Sequence, residues 1–223
     1  MPELLPKDAL RGTCIGISVS ESPDLERLGL FEIHFRLALA EIARCVLVSG
    51  GKLAYGGHLS PEGYTIFLMQ ELQKYGRSDS PFLVCLAWSE HRKLTLSELR
   101  ARQDELALLG RIVCLDPDGR ETDPANGRGE AAQPVEDAAQ RRRALTAMRR
   151  YMATKTQGRV LLGGKRHDFQ GEMPGLMEEA LISLENAHPI YLAGGFGGLT
   201  ADIAQALRVD DGNWFPARAD MPR

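Results

Sequence analysis

The sequence predicts an α/β protein with a Rossmann-like, three-layer α/β/α arrangement around a mostly parallel sheet of about six strands. Short apolar segments alternate with segments of helical periodicity along most of the chain. Several of these apolar segments run directly into glycine-rich loops. Strands that are apolar throughout are buried on both faces, and their alternation with helices is typical of parallel βαβ units. Right-handed crossovers then restrict the topology.

The first part of the chain predicts two strands joined by a helix. Residues 13–20 (TCIGISVS) are apolar and β-branched, which favours a buried strand, and residues 52–55 form a second, shorter strand. Between them, residues 30–48 carry apolar side chains on one helical stripe. Gly50 and Gly51 end this helix, because glycine favours the backbone conformation that follows a helix.

The middle of the chain continues the alternation. Residues 60–62 (SPE) supply a capping residue, a proline and an early acid, so a second helix is predicted to begin there. Residues 81–88 (PFLVCLAW) predict a third strand and residues 111–115 (RIVCL) a fourth. The helix between these strands is capped by either Thr95 or Ser97.

Residues 116–134 interrupt the pattern, because they are rich in turn-forming residues and lack large apolar side chains. We interpret them as a mobile loop inside one domain. The elements after this loop are predicted as helices at 138–154, 174–185 and 199–207 and strands at 159–162 and 189–193. We expect an N-terminal extension over 1–12, a single domain over 13–208 and an irregular tail over 209–223.

Composition limits the class of function. The chain has 223 residues, of which 43% are hydrophobic and 26% charged, a balance typical of a globular domain. Its net charge of −3 argues against a general nucleic-acid binder. No apolar run reaches the ~20 residues that span a bilayer, and the N-terminus lacks an apolar signal core, so we expect a cytoplasmic protein. The four cysteines lie in apolar segments without ligand spacing, which predicts buried, reduced thiols and no metal site.

Three glycine-rich loops follow predicted strands, at the edge where open α/β sheets bind ligands. They are residues 54–58 (AYGGH), 162–175 (LGGKRHDFQGEMPG) and 193–199 (AGGFGGL). The third loop, AGGFGGL, leads from a strand into a helix. Glycines without Cβ atoms let a phosphate approach the amides of a helix N-terminus, so residues 194–198 are predicted to hold a phosphate. A tight turn without a ligand is the alternative. The candidate residues of this edge are Ser18, Ser20, Gly56, Gly57, Gly163, Gly164, Gly194, Gly195, Gly197 and Gly198.

Side chains beside these glycines add further candidates. Lys165 and Arg166 either meet phosphate charge or form a solvated basic turn. Tyr55 and Phe196 can cover a base or ribose, although Phe196 can equally fill the core. His58 is either a proton carrier near neutral pH or an ordinary hydrogen-bonding residue.

The segment before and within the predicted helix at 174–185 is the second group of candidates. Met173 and Gly175 precede two adjacent acids, Glu178 and Glu179. Acids in a first helical turn complement the helix dipole, and one of them can instead reach a ribose hydroxyl. The arginines between residues 141 and 150 are interpreted as a solvated helix face or a partner surface.

At these loops the sequence resembles the SLOG superfamily, named for the DNA-processing and lonely-guy proteins. The resemblance covers about residues 13–207 and rests on LVSGGKLAYGGHLSPEGYT, LLGGKRHDFQGEMPGLMEEALISL and PIYLAGGFGGLTADI. It implies a Rossmann-like fold whose loops hold a nucleotide or ADP-ribose-type ligand. The glutamate of the lonely-guy motif PGGxGTxxE falls on Ala201, with Asp202 one residue later. Alanine cannot assist glycosidic cleavage, and one residue turns a helical side chain by about 100°, which speaks against nucleosidase activity.

The loop motifs look closer to the sensor-type SLOG domains of bacterial immune systems with TIR- or Sir2-type NAD-consuming effectors. This resemblance implies a domain that binds and senses a NAD- or nucleotide-derived small molecule in TIR-linked antiphage signalling, with no separate cofactor. The implied partners are further copies in a homo-oligomer, or a TIR-domain or other effector protein.

Two other functions stay open at the level of sequence. One is an N-glycosidase or ribosyl-transferring hydrolase of the lonely-guy type. In it, Glu178, Glu179 or Asp202 would supply the carboxylate and His58 would carry a proton. The other is a DNA-associated domain, for which the arginine-rich helix is the support.

Overall fold

Six parallel strands form one sheet in the part of the chain that the computed structural model describes, namely residues 6–75, 79 and 81–209. The strands are β1 (Cys14–Ser20), β2 (Lys52–Gly56), β3 (Phe82–Leu86), β4 (Gly110–Cys114), β5 (Gly158–Gly163) and β6 (Ile190–Ala193). Seven helices of the described residues flank the sheet: α1 (Glu32–Val48), α2 (Tyr64–Gln73), α3 (Trp88–His91), α4 (Leu96–Leu106), α5 (Ala138–Lys155), α6 (Gly175–Glu185) and α7 (Gly198–Ala206). The predicted three-layer, Rossmann-like α/β/α fold is confirmed.

The strand order β4-β3-β2-β1-β5-β6 creates one point where the chain reverses its direction across the sheet. From β1 the chain adds β2, β3 and β4 on one side, and it then returns to place β5 and β6 on the other side. Ser20 at the end of β1 lies opposite Gly163 at the end of β5. Ligands of open α/β sheets bind beyond the carboxyl ends of the strands at such a switch point.

The core has one layer of apolar side chains on each face of the sheet. On one face α1 buries Phe35, Leu39 and Ala43, which follow one another at intervals of four residues. On the other face α5 packs Met148 and Met152 against β2 and β3. Burying a side chain of this size stabilises the fold by about 1.5–3 kcal/mol. These two layers cover both faces of the sheet on either side of the switch point.

Local signals placed most element boundaries. Two boundaries differ from the prediction, and the cap of α4, for which two residues were open, is decided. The helix predicted to begin at residues 60–62 begins at Tyr64 instead, because the Gly63 amide donates to the Ser60 carbonyl at 2.9 Å and closes a turn first. The cap of α4 is Thr95, whose Oγ1 accepts from the Glu98 amide at 3.1 Å. The end of the predicted third strand is the short helix α3, which begins at Trp88.

The loop predicted to be mobile over 116–134 contains no helix or strand element, but hydrogen bonds fasten it to α3 and α4. Arg128 Nη1 donates to the carbonyl oxygens of His91 and Leu94 at 3.3 and 3.0 Å. The Glu130 carboxylate accepts from the Ser97 amide at 2.6 Å. These contacts place the loop against the same α3–α4 segment that borders the cavity described below.

Several smaller expectations concern the surface of the molecule. Cys85 and Cys114 are buried and Cys14 is half-buried, but Cys45 is exposed, so the prediction of four buried thiols is wrong at that position. Among the described residues, no helix has the length and apolar composition needed to cross a bilayer. Of the predicted tail at 209–223, all but the first residue lies outside the described part of the chain.

Candidate functional site

A cavity of about 680 Å³ opens at the carboxyl ends of β1 and β2 and beside the loop that follows β5, next to the switch point. Its volume lies within the range of about 300–1,000 Å³ that small-molecule sites have. Segments far apart in the sequence meet here, namely the end of β1, the β2–α2 loop, the β5–α6 loop and helix α5. The predicted site residues that line it are Ser18, Ser20, Tyr55, Gly56, Gly57, His58, Lys165, Gly175 and Glu179.

The third glycine-rich loop does not form a wall of this cavity, although it follows β6 as predicted. Gly163 and Gly164 of the second loop also lie outside it, as close packing against the Ser20 carbonyl and Leu199 places them beneath α7. The predicted residues that do not line the cavity are Gly163, Gly164, Arg166, Met173, Glu178, Gly194, Gly195, Phe196, Gly197, Gly198 and Asp202.

The amides at the start of α7, predicted to hold a phosphate, are already paired inside the protein. The Gly198 amide donates to Oδ2 of Asp24 at 2.8 Å, and the Leu199 amide donates to the Gly164 carbonyl at 3.0 Å. A Cβ atom on Gly197, whose φ is 70°, would lie 2.5 Å from Cβ of Asp24. The glycines of this loop therefore make room for a carboxylate of the chain itself, and these two amides are not free for a ligand.

Arg166 completes this internal anion site instead of facing the cavity. Its Nη2 donates to Oδ2 of Asp24 at 2.8 Å, and its Nε donates to Oδ2 of Asp202 at 2.7 Å. Hydrogen bonds from Arg166 lower the pKa of Asp24 to about 2, with the Gly198 amide contributing in the same direction. Asp202, a candidate carboxylate for a hydrolase, is thus held in an ion pair at α7.

Phe196, for which stacking on a ligand and packing in the core were both open, packs against the core. Its ring meets the ring of Phe35 edge-on, with 5.7 Å between the centroids. The Ser22 hydroxyl donates to the Phe196 carbonyl at 2.6 Å and ties the turn to the segment after β1.

The start of α6, and not that of α7, faces the cavity. Pro174 precedes the helix and disfavours helical backbone in Met173, which sets the first residue of the helix at Gly175. The amides of Gly175 and Leu176, both of which line the cavity, make no hydrogen bond within the described part of the chain. Amides at a helix start attract anions because they point along the positive end of the helix dipole.

Arg149 lies beside this helix start, so the interpretation of the arginine-rich helix as a solvated face is wrong at this position. The residue is only 8% exposed and lines the cavity. A Cβ atom on Gly175 would lie 2.7 Å from Arg149 Nη2, so glycine is what allows the guanidinium to reach the start of α6. Arg149 Nη1 donates to Glu178, while Nε has no hydrogen-bond acceptor among the described residues and lies 3.6 Å from Glu179 Oε1.

A second buried arginine holds the carboxylate that borders the cavity. Arg159 of β5 is fully buried, and its Nη1 donates to Glu179 Oε2 at 3.0 Å and to Ser18 Oγ at 2.9 Å. Its Nε donates to Ser183 Oγ at 2.8 Å, and the Ser18 hydroxyl donates to Glu179. Buried charges are stable only when they are paired in this way. The cluster fixes Glu179 and Ser18 at the floor of the cavity.

Glu178 of α6 is held outside the cavity by side chains of α5. Its Oε1 accepts from the Thr146 hydroxyl at 2.5 Å, and its Oε2 accepts from Arg149. The adjacent acids thus have separate structural partners, and of the two only Glu179 lines the cavity. Neither acts as a simple solvated dipole-complementing residue, since both are buried.

The remaining walls combine aromatic and charged side chains. Burial raises the pKa of the Tyr55 phenol, with the nearby Glu179 carboxylate acting in the same direction. His58 Nδ1 accepts from the Ser60 amide at 3.3 Å, and Lys165 Nζ pairs with Glu21 at 2.9 Å. The described residues contain no group of three or more His, Cys, Asp or Glu side chains placed to hold a metal ion.

Three residues of the site were not predicted from the sequence. They are Arg149 of α5, Arg159 of β5 and Phe169 of the β5–α6 loop. A signal existed for two of them. Arg149 falls on the apolar stripe of α5 with Leu145 and Met152, at the spacing of a buried position. Arg159 interrupts an apolar strand, and an arginine there requires a buried acid. Phe169 has no such signal, because it lies in an irregular loop.

Comparison with known proteins identifies the family of this chain. The family model described as SLOG cluster2 matches residues 9–223. No curated protein and no solved structure matches the chain. Since the match spans nearly the whole sequence, the chain belongs to the SLOG superfamily, a membership that suggests a nucleotide-related function.

Proposed function

We propose that this protein binds and senses a nucleotide-derived small molecule of the ADP-ribose or NAD type in the cavity at the switch point. One observation carries the proposal: Arg149 is buried beside Gly175 at the start of α6, and both residues line the 680 Å³ cavity together with Leu176. The amides of Gly175 and Leu176 have no hydrogen-bond partner among the described residues. A cation beside free helix-start amides is suited to one phosphate group. We therefore propose that the phosphate is held at the start of α6 and not at the start of α7.

The walls above this floor suit the nucleoside part of such a ligand. Tyr55, Leu145 and Met148 offer apolar surface for a base. The glycines at 56 and 57 allow this surface to pack closely, since a Cβ atom on Gly56 would lie 2.8 Å from Met148 Cε and one on Gly57 would overlap the Tyr55 ring. Lys165, at the rim, can exchange its exposed partner Glu21 for a ligand phosphate, since exposed ion pairs contribute only about 0–1 kcal/mol. The cavity thus offers the buried Arg149 and the exposed Lys165 to an anionic ligand, and Lys93 and Arg102 line it as well.

A thermal-shift series with AMP, ADP-ribose, cyclic ADP-ribose isomers and NAD tests the proposal. A ligand at 100 times its Kd stabilises the folded state by about 2.7 kcal/mol, which corresponds to a rise in Tm of about 5–10 °C for a domain of this size. Lys165→Glu is expected to reduce the shift. Lys74→Glu is the matched control, because this exposed lysine also pairs with a glutamate but lies outside the cavity. Absence of a shift with every compound would contradict the proposal.

The positions of the candidate carboxylates favour binding over hydrolysis. Of the three candidate carboxylates, Asp202 and Glu178 are bound outside the cavity, and Glu179 is engaged by Arg159 and Ser18. We therefore expect binding without release of free base from AMP or NAD. Release of base by the wild type that Glu179→Gln abolishes would instead support an N-glycosidase.

We propose that ligand binding is transmitted through protein–protein association. The partners are either further copies of this chain or a TIR-type effector. Ile33 and Leu37 support an assembled form, since they are exposed apolar residues one turn apart on α1. Analytical ultracentrifugation of the chain with and without ADP-ribose tests it. A monomer in both conditions that also fails to bind a TIR-domain protein would contradict this part of the proposal.

A further inference from the structure

A second cavity of about 520 Å³ adjoins the first and shares part of its wall. Lys93, Phe169 and Gln170 border both cavities. The other walls of the second cavity come from the segment before α5 and from the first turns of that helix. Because these three side chains separate the two cavities, we refer to the cavities as the first and second lobe.

The second lobe is rich in cations that are weakly neutralised. Arg141 Nη1 donates to the carbonyl oxygens of Val135 and Glu136, at 2.7 Å each, so its charge is oriented by neutral groups. Arg142 pairs with Glu172 at 2.9 Å, and Lys93 pairs with Glu90 at 2.7 Å. Both pairs reach the surface, where such contacts contribute little and are readily exchanged for a phosphate.

Phe169 stands at the boundary between the lobes. The ring is 41% exposed, which is high for a phenylalanine, and it borders both cavities. Asp168 before it has a φ of 56°, a conformation that only a few residue types adopt readily, and this turn sets the direction of the chain into Phe169. An exposed aromatic ring at such a position can stack on a base or a sugar.

We infer that the two cavities form one site for a ligand with two nucleotide-like halves, in which the second lobe takes a second phosphate-bearing half. This inference rests on the proposed function and adds a size requirement to it. A mononucleotide fills the first lobe only. A dinucleotide such as NAD, or the shorter ADP-ribose, passes Phe169 at the boundary and also reaches Arg142, which borders only the second lobe.

Isothermal titration calorimetry with AMP, ADP-ribose and NAD tests the inference on the full-length chain. We expect NAD or ADP-ribose to bind at least tenfold more tightly than AMP. Phe169→Ala and Arg142→Glu should each remove about tenfold of that affinity, where tenfold corresponds to about 1.4 kcal/mol. Because Arg142 borders only the second lobe, Arg142→Glu should also leave the affinity for AMP unchanged. Arg143→Glu is the matched control, because it is the next residue on α5, pairs with Asp118 and borders neither lobe.

The outcomes distinguish the two proposals. If AMP binds as tightly as the larger ligands and both variants leave every affinity unchanged, the two-lobed site is wrong while the nucleotide site stands. If none of the three compounds binds to the folded wild type, the proposed function itself is wrong. Circular dichroism of each variant confirms folding, and since both substituted side chains are solvent-accessible, we expect native spectra.

Discussion

Replacing Arg159 by methionine tests whether the buried charge cluster holds the floor of the cavity. Methionine keeps most of the side-chain length and removes the guanidinium, which donates to Glu179, Ser18 and Ser183. The Glu179 carboxylate then stays buried with Arg149 Nε at 3.6 Å as its nearest cation. Breaking a buried pair from one side costs about 3–5 kcal/mol. At about 2–4 °C per kcal/mol for this chain length, Tm should fall by about 6–20 °C.

Urea unfolding followed by circular dichroism measures this loss directly. Arg44→Met is the control, since Arg44 is an exposed arginine paired with Glu41 and should change the free energy of unfolding by less than about 0.5 kcal/mol. The double variant Arg159→Met/Glu179→Gln should be more stable than the two single losses predict, because it leaves no buried charge without its partner. A loss below about 1 kcal/mol for Arg159→Met would refute the reasoning.

Four further changes probe the caps and the titrating groups. Hydrogen bonds from Arg166 lower the pKa of Asp24 to about 2, so the ionised carboxylate stabilises the wild type above pH 4. This stabilisation should be lost between about pH 4 and pH 2 as the carboxylate is protonated, and Asp24→Asn should abolish that loss in urea titrations. Burial lowers the pKa of His91 to about 4, so the unfolded chain binds this proton more tightly and wild-type stability should fall from pH 6.5 towards pH 4; His91→Gln should flatten that slope in urea titrations. Thr95→Ala should cost about 1 kcal/mol in urea unfolding, as the cap of α4 is lost. Gly198→Ala should cost about 1–3 kcal/mol by the same measurement, because φ is 65° and the new Cβ would lie 2.8 Å from the backbone of Gly163; an unchanged Tm would contradict this.

Periodicity and loop composition were sufficient to predict the layered fold. The β-branched apolar strand at 13–20 and the stripe of α1 depend on neighbours within a few residues, so a single sequence contains the information. The same holds for the cap at Thr95, where Glu98 lies three residues away and completes a capping box. All of these are local interactions.

The use of each helix start could not be predicted in the same way. AGGFGGL has the composition of a phosphate loop, but the anion it meets is Asp24, which lies 174 residues away in the sequence. Local composition predicts that a helix start will attract an anion, and only the tertiary structure decides whether that anion belongs to the chain or to a ligand. The pairing of Glu179 with Arg159 could not be predicted for the same reason, although each residue type in its context required a partner.

The carboxylate at the start of α7 has a consequence for the ligand-free protein. Many phosphate-binding folds leave a cluster of unsatisfied amides when their site is empty, and sulfate or phosphate from the buffer then stabilises them. Here Asp24 supplies that negative charge permanently, and Arg166 balances it. The corner of the molecule where α7 meets the β5–α6 loop should therefore keep its shape whether or not a ligand occupies the neighbouring cavity.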